Sequence, residues 1–252
     1  STDCFSKQTT TMASVKLEDV SFSYGRRSVL RGLNLEIPDA SFSCLLGATG
    51  CGKTTVLRVI AGRERPSAGM VRAGGRLLSD GVRMRVAPED RGLSFVFQDL
   101  ALWPHFTVFR NVAWALEVRK DRECRRKTGD ILERLGLSEH EKKYPHQLSG
   151  GQQQLLALAR AMVTRPGLLL MDEPLSGLDA RVKSRMMTEI RTLHAETGVT
   201  ILYVTHDPRE ALALSGYLAV MNDKGEAAAA APKDKVQVSQ NPFVQEFLAG
   251  SV

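Results

Sequence analysis

Phe42-Ser43-Cys44-Leu45-Leu46-Gly47-Ala48-Thr49-Gly50-Cys51-Gly52-Lys53-Thr54 is the stretch that decides the fold. Phe42–Leu46 is a short apolar run that reads as a buried strand and ends at a glycine loop. Helical pattern then takes over at Lys53–Ala61 and stops at Gly62, with Pro66 beyond. Strand, Gly-x-x-x-x-Gly-Lys-Thr, helix is the context in which this spacing makes a phosphate loop. The glycines let backbone N–H groups face an anion, and the helix N-terminus behind them carries about half a positive charge. Lys53 is placed to reach the β- and γ-phosphates of a nucleotide, and the Thr54 hydroxyl to hold Mg²⁺. The bland alternative is a glycine-rich turn with a chance lysine, and the flanking strand and helix argue against it.

A second candidate cradle lies downstream at Leu148-Ser149-Gly150-Gly151-Gln152. Ser149 is a good helix N-cap, and two glycines before the apolar run Leu155–Val163 let a ligand approach bare backbone at a helix start.

Polar residues end the other apolar strands. Leu93–Phe97 stops at Gln98, Leu168–Met171 at Asp172-Glu173, and Thr200–Thr205 at His206. In open parallel sheets, ligands bind outside the carboxyl ends of the strands, so Gln98, Asp172, Glu173 and His206 converge on one crevice. Asp172 is suited to Mg²⁺, Glu173 to polarising an attacking water, and Gln98 to reaching the metal or that water. Taken singly, each has a plainer reading: a loop glutamine, surface acids, a structural histidine. Asp179, after Ser176-Gly177-Leu178, caps a helix whose core face is Val182, Met186, Ile190 and Leu193.

Elsewhere the chain reads as alternating strands at Val15–Phe22 and Leu33–Ile37, with Tyr24-Gly25 at a turn between them. Glycine-studded short strands follow at Gly69–Arg85, in an antiparallel arrangement. Between Leu100 and Pro145 strand signals give way to helical spacing at Val108–Val118 and Lys127–Leu137. The entrance to that insert, Leu100-Ala101-Leu102-Trp103-Pro104-His105-Phe106, is unusually apolar for a linker; internal packing and an exposed groove for a partner helix both fit it. Pro208–Leu214 reads as a short helix, Tyr217–Met221 as a strand, Asn222–Gly225 as a turn, Ala227–Ala231 as low complexity and Asn241–Gly250 as a closing helix.

At 252 residues the chain can bury a substantial core. No window approaches the ~20 apolar residues of a membrane span. Ser1–Ser14 has neither the apolar centre nor the cleavage pattern of a signal and reads as a loose tail. Cys4, Cys44, Cys51 and Cys124 show no metal spacing and fit a reducing compartment. The net charge of +6 is compatible with nucleic acid or an anionic membrane, but the basic cluster at 119–127 is diluted by Asp121 and Glu123 and reads as a solvated helix face.

With these motifs in order, the chain from about Val15 to Val252 resembles the ATP-binding cassette (ABC) ATPases. Gly47–Thr54 matches Walker A, Gln98 the Q-loop, Leu148–Gln152 the signature, Leu168–Glu173 Walker B, Ser176–Asp179 the D-loop and His206 the switch histidine. The resemblance implies an α/β fold: a P-loop NTPase (RecA-like) core over 15–98 and 151–226 that includes an antiparallel β subdomain, a helical subdomain over 99–150, and a C-terminal tail over 227–252. It implies binding of ATP and Mg²⁺. Gly47, Ala48, Thr49, Gly50, Cys51, Gly52, Lys53, Thr54 and Thr55 would hold the nucleotide, with Tyr24 stacked on adenine, and Thr54, Gln98 and Asp172 would hold the metal. Glu173 would be the general base, with His206 and Gln98 completing the catalytic set. A head-to-tail dimer follows, in which Ser149, Gly150, Gly151, Gln152 and Asp179 serve the neighbour's nucleotide.

Residues 101–108 and 241–244 look like those of bacterial importer subunits handling iron(III), polyamines, sulfate, phosphonates, thiamine or sugars. That implies a second ATPase subunit, a membrane-spanning permease and a solute-binding protein as partners, with no nucleic acid. It also implies a place on the cytoplasmic face of the bacterial inner membrane. The competing classes are a soluble cassette ATPase acting on ribosomes or nucleic acid, an exporter subunit and a P-loop kinase; the short Gln98-to-Ser149 interval and the signature argue against the first and last. Three departures stand out: Gln153-Gln154 where relatives usually carry a basic residue, Ser215-Gly216-Tyr217 in place of Asp-Arg, and the alanine run in a usually varied hairpin. The regulatory β-barrel that follows the cassette in many relatives is not expected within this sequence.

Overall fold

The computed structural model describes residues 14–250, so Cys4 and nearly all of the Ser1–Ser14 tail lie outside the described residues. Two sheets organise the chain. A four-stranded antiparallel sheet has the order β2-β1-β4-β5, from β1 (Val15–Tyr24), β2 (Arg27–Ile37), β4 (Ala68–Ala73) and β5 (Arg76–Asp80). A six-stranded sheet has the order β10-β9-β3-β8-β7-β6, from β3 (Phe42–Gly47), β6 (Leu93–Val96), β7 (Leu168–Asp172), β8 (Thr200–Thr205), β9 (Tyr217–Met221) and β10 (Ala227–Pro232). Strands β3, β6, β7, β8 and β9 are parallel and β10 is an antiparallel edge.

Strands of a parallel sheet are buried on both faces, which explains their unbroken apolar runs. Alternate side chains of β7 and β8 enter opposite cores. Leu169, Met171, Ile201 and Tyr203 join one hydrophobic cluster, while Leu168, Leu170, Leu202 and Val204 join the other. The second cluster lies around α1 (Lys53–Ala61), which touches β2, β3 and β7 and so fills the space beneath the antiparallel sheet. The first holds the helical segment, α2 (Val108–Val118) and α3 (Cys124–Arg134), against α4 (Gly150–Met162). It also takes in the core faces of α5 (Ala180–Thr197) and α6 (Pro208–Leu214).

Several local expectations change. The second strand begins at Arg27 rather than Leu33, because its first half pairs with β1 across irregular register. The second insert helix runs Cys124–Arg134, three residues earlier than its spacing predicts. The alanine run, low in complexity and placed in a hairpin by the family resemblance, forms the edge strand of that hairpin: Ala227, Ala229, Ala230 and Ala231 pair with β9. Small side chains suffice there because β9 and the helices behind it supply the packing. The rest of the C-terminal segment is also built into the body: α7 (Lys233–Gln237), which the sequence pattern did not reveal, buries Val236, and α8 (Pro242–Leu248) buries Val244 and Phe247.

The β9–β10 turn also locks the two sheets together. Asn222 Oδ1 accepts from the N–H groups of Lys224 and Glu226, and Arg31 N–H of β2 donates to Gly225 O. Gly225 is left-handed, with φ +77°, and a Cβ there would collide with the carbonyl oxygen of Val29. Gly225→Ala is therefore expected to destabilise the chain by ~2 kcal/mol or more, seen as a melting midpoint lowered by about 5 °C; an unchanged midpoint would show that the turn does not bear on β2.

Candidate functional site

The carboxyl ends of β3, β8, β7 and β6 open on one side of the sheet. Past the end of β3 the chain runs through the glycine loop into α1. Gly52, the N-cap of α1, has φ +111°, a conformation that L side chains rarely adopt, and a Cβ there would press on Val29 and Leu30 at 3.1 Å. Lys53 is only 4% exposed. Its Nζ donates to Gly47 O at 2.8 Å and Ala48 O at 2.9 Å and lies 3.7 Å from Glu173 Oε1. An ammonium has three donors, so two fix the lysine in the loop and one remains directed toward the crevice.

The Thr54 hydroxyl donates to Asp172 Oδ1 at 3.0 Å, joining the start of α1 to the tip of β7 across the intervening β8. Burial pushes the Asp172 carboxyl above its ordinary range, partly opposed by the Thr54 hydrogen bond. Glu173 has φ +43°. Successive strand residues point to opposite faces, and the left-handed turn at Glu173 breaks that alternation, so both carboxylates serve the same crevice. Two backbone bonds hold the turn: Glu173 N–H to Val204 O at 3.0 Å, and Ser176 N–H to Glu173 O at 3.1 Å. His206, just beyond β8, donates from Nδ1 to Glu173 Oε2 at 2.9 Å.

Gln98 lies two residues past β6, which ends at Val96 rather than Phe97. It lines a cavity of about 1060 Å³ together with Thr54, Asp172, Ser176 and Arg58. Tyr24, 44% exposed at the end of β1, donates to Glu64 Oε1 at 3.1 Å and accepts from Arg58 Nη1 at 3.4 Å. It thus borders the same cavity, whose lining includes Arg58 and Glu64. The Thr55 and Cys51 side chains, by contrast, are buried, which leaves only their backbone to the loop.

The signature stretch stands apart from this assembly. None of Ser149–Gln152 lines the cavity at Thr54, Gln98 and Asp172. Ser149 caps α4 in a capping box: Gln152 N–H donates to Ser149 Oγ and Ser149 N–H to Gln152 Oε1. Gln153 Nε2 donates to Pro145 O and Leu148 O, so the departure noted at this position is spent on bracing the approach to the signature. Asp179 caps α5 through Arg181 N–H and Val182 N–H, and a Cβ at Gly151 would meet Val182 Cγ1 at 2.9 Å, so the signature packs beside the Ser176–Asp179 loop.

Some buried polar residues escaped the sequence reading. Glu210 Oε2 accepts from Tyr203 Oη at 2.8 Å and Thr205 Oγ1 at 2.9 Å, while its Oε1 pairs with Lys183 Nζ at 2.6 Å, fixing the strand that delivers His206. The Lys183 ammonium is held above its ordinary pKa, first by its hydrogen bond to Glu210. Arg91 closes the C-terminus of α1 through Val59 O and Ile60 O, and burial brings its pKa down to about 10. Asn111 gathers Trp103 O, Phe106 O and Thr107 O with its amide nitrogen and Trp103 N–H with its oxygen, shaping the aromatic entrance loop. The only signal for Glu210 was an acid on an otherwise apolar helix face.

The chain matches the ABC transporter family over residues 30–176. It is 43% identical over 240 residues to the trehalose/maltose import ATP-binding protein of Thermococcus litoralis, an alignment covering 94% of this chain and 64% of that protein. It is 44% identical over 221 residues to an Fe(3+) ions import ATP-binding protein of Rhizobium meliloti, covering 87% of this chain and 55% of that protein. A bacterial ABC transporter cassette, MJ0796, solved as a dimer, superposes with a TM-score of 0.75 at 28% identity, covering 86% of this chain and 98% of that one. The chain belongs to the ABC transporter family, and its fold is that of the family's cassette. It spans 55–64% of the length of these two import relatives.

Burial also sets the reactivity of the loop cysteine. Burial raises the thiols of both Cys51 and Cys124, but Cys51 is only 4% exposed whereas Cys124 is partly open to solvent. Iodoacetamide at neutral pH is expected to label Cys124 well before Cys51 or Cys44, read by mass spectrometry of digested peptides; equal labelling of Cys51 would mean that the loop does not hold its thiol inward.

Proposed function

We propose that this chain is the ATP-hydrolysing, energy-coupling cassette of an ABC importer. The observation that carries the reading is the convergence of Lys53, Thr54, Asp172, Glu173 and His206 at one end of the parallel sheet, with the signature turn facing elsewhere. Lys53 supplies a pre-positioned cation for the β- and γ-phosphates, and the backbone of Gly47–Thr55 the remaining donors. Thr54 Oγ1 and Asp172 Oδ1 form a pair of hard oxygen donors suited to Mg²⁺. Among the described residues there is no cluster of three or more His, Cys, Asp or Glu to hold a metal alone, which fits an ion shared with substrate phosphates. Mg²⁺ bound there would neutralise phosphate charge, and a cation beside Asp172 favours the ionised carboxylate that burial disfavours.

Glu173 acts as general base on the attacking water. His206 orients its carboxylate through Oε2, and Gln98, which shares the cavity with Thr54 and Asp172, positions the water or metal. Tyr24 offers its exposed ring to the adenine base. Ser149, Gly150, Gly151, Gln152 and Asp179 serve the nucleotide of a second cassette in a head-to-tail dimer, which accounts for a phosphate-suited helix start outside its own crevice.

The aromatic loop 100–106 docks a permease. Its Trp103 ring lies 5.0 Å from that of Trp114, which is 39% exposed. No helix among the described residues is long and apolar enough to cross a membrane. In this reading the chain is a peripheral subunit on the cytoplasmic face, working with a permease and a solute-binding protein. The two import relatives are named for different cargoes, a sugar and an iron ion; in this reading cargo choice belongs to the permease and binding protein. Co-purification tests the assignment: a hydrophobic permease should accompany the chain, and ribosomal or nucleic-acid partners would overturn it.

Two substitutions test the chemistry. Glu173→Gln should leave ATP binding intact and slow hydrolysis ~10²-fold or more, the scale of a lost general base; a wild-type rate would remove Glu173 from that role. Ser149→Arg should abolish hydrolysis while the dilute, isolated subunit binds ATP as before; loss of binding in the monomer would contradict action on a neighbour's nucleotide.

A further inference from the structure

We propose that His140 is a positioning residue for the signature turn, holding the Gln152 amide in the one orientation in which its oxygen accepts from Ser149 N–H. The inference rests on the reading of Ser149 as a group that acts in hydrolysis. Ser149 N–H points at the Gln152 side chain at 2.9 Å, and an N–H requires an acceptor, so the amide oxygen must face Ser149. The amide NH₂ therefore faces His140, with Gln152 Nε2 at 2.8 Å from His140 Nε2. An amide NH₂ can only donate, so His140 Nε2 must accept and the ring proton must sit on Nδ1. His140 Nδ1 is buried and finds no partner among the described residues. A ring chosen only to fill space would not strand a buried N–H; this one does so while presenting Nε2 to Gln152.

The mount for the ring is firm. His140 ends a short 3₁₀ turn, Ser138–His140, whose N–H donates to Leu137 O and whose carbonyl accepts from Lys143 N–H, each at 2.9 Å. Leu137 is fully buried, and Lys143 O accepts from Val108 N–H at the start of α2. The turn before the signature is thus fixed to the helical segment, and through His140 the same segment sets the rotamer of Gln152. Without the acceptor, the amide is free to rotate, Ser149 N–H loses its partner, and of the two capping-box bonds that place Ser149 at the start of α4 only the one from Gln152 N–H to the Ser149 hydroxyl is left.

His140→Gln, His140→Asn and His140→Leu separate this role from simple packing, because a glutamine oxygen reaches about as far as Nε2 and an asparagine oxygen only as far as Nδ1. In the full chain, His140→Leu should lower kcat for ATP hydrolysis by ~3- to 10-fold, the scale of one net hydrogen bond. His140→Gln should return to within about twofold of the unaltered chain and His140→Asn should not, while ATP affinity of the dilute subunit stays unchanged in all. Each variant is assayed below its own melting midpoint, so that the rates refer to folded protein. Equal rates for His140→Leu and His140→Gln, rescue by His140→Asn, or a parallel fall in affinity would overturn the inference. Ser149→Arg runs beside them. If it leaves hydrolysis intact, the reading of Ser149 fails and the inference with it; if it abolishes hydrolysis while His140→Leu is silent, the inference fails alone.

Discussion

The crevice depends on burying the Lys53 ammonium without stranding its charge. An unpaired ammonium in a protein interior is strongly unfavourable, so its place requires nearby acceptors. Gly47 O and Ala48 O are such acceptors because the chain leaves β3 there and turns through glycine before α1 begins. Glu173 supplies a nearby opposite charge at 3.7 Å, and it can do so because the chain turns left-handed on leaving β7. The unusual backbone at both strand ends follows from placing one cation where a phosphate can reach it.

Around that centre, buried polar side chains outside the recognised motifs do the orienting. Glu210 ties β8, α5 and α6 together just behind His206. Arg91 joins the end of α1 to the strand-connecting loop at Val86. Arg134 reaches from α3 to Glu189 and Glu196 on α5, linking the helical segment to the core. Glu210 and Arg91 satisfy hydroxyls and carbonyls that would otherwise be costly in the interior, while the Arg134 pairs are part-exposed ties between helices. The motif residues line the crevice, and these hold the elements that carry them.

Local pattern and motif order carried the architecture far. The parallel strands were legible as unbroken apolar runs, and their polar terminators named the crevice residues that the structure brings together. What stayed hidden depends on partners distant in sequence. Arg91 reads as one more surface arginine until Val59 and Ile60 are brought beside it. Asn111 reads as a helix-surface residue until the loop 103–107 folds over it. The alanine run carries no strand pattern of its own because a strand is normally recognised by the bulk of its side chains, whereas an edge strand can borrow its packing from β9. Such cases follow from the non-local origin of strand pairing and polar satisfaction.

The two phosphate-suited helix starts differ in how they are closed. At α1 the N-cap, Gly52, provides no side-chain acceptor, so the first N–H groups remain for a ligand. At α4 side chains make the cap: Ser149 and Gln152 satisfy each other, and Gln152 is in turn held by His140. An open start suits a site that must envelop an anion deeply, with a lysine buried beside it. A capped start cannot do that, but it presents a hydroxyl and two glycines at a fixed place on the surface. That difference suits α1 to bind and α4 to be brought up against something already bound. The rigidity of residues 144–153, braced by Gln147, Gln152 and Gln153, is what such an approach requires.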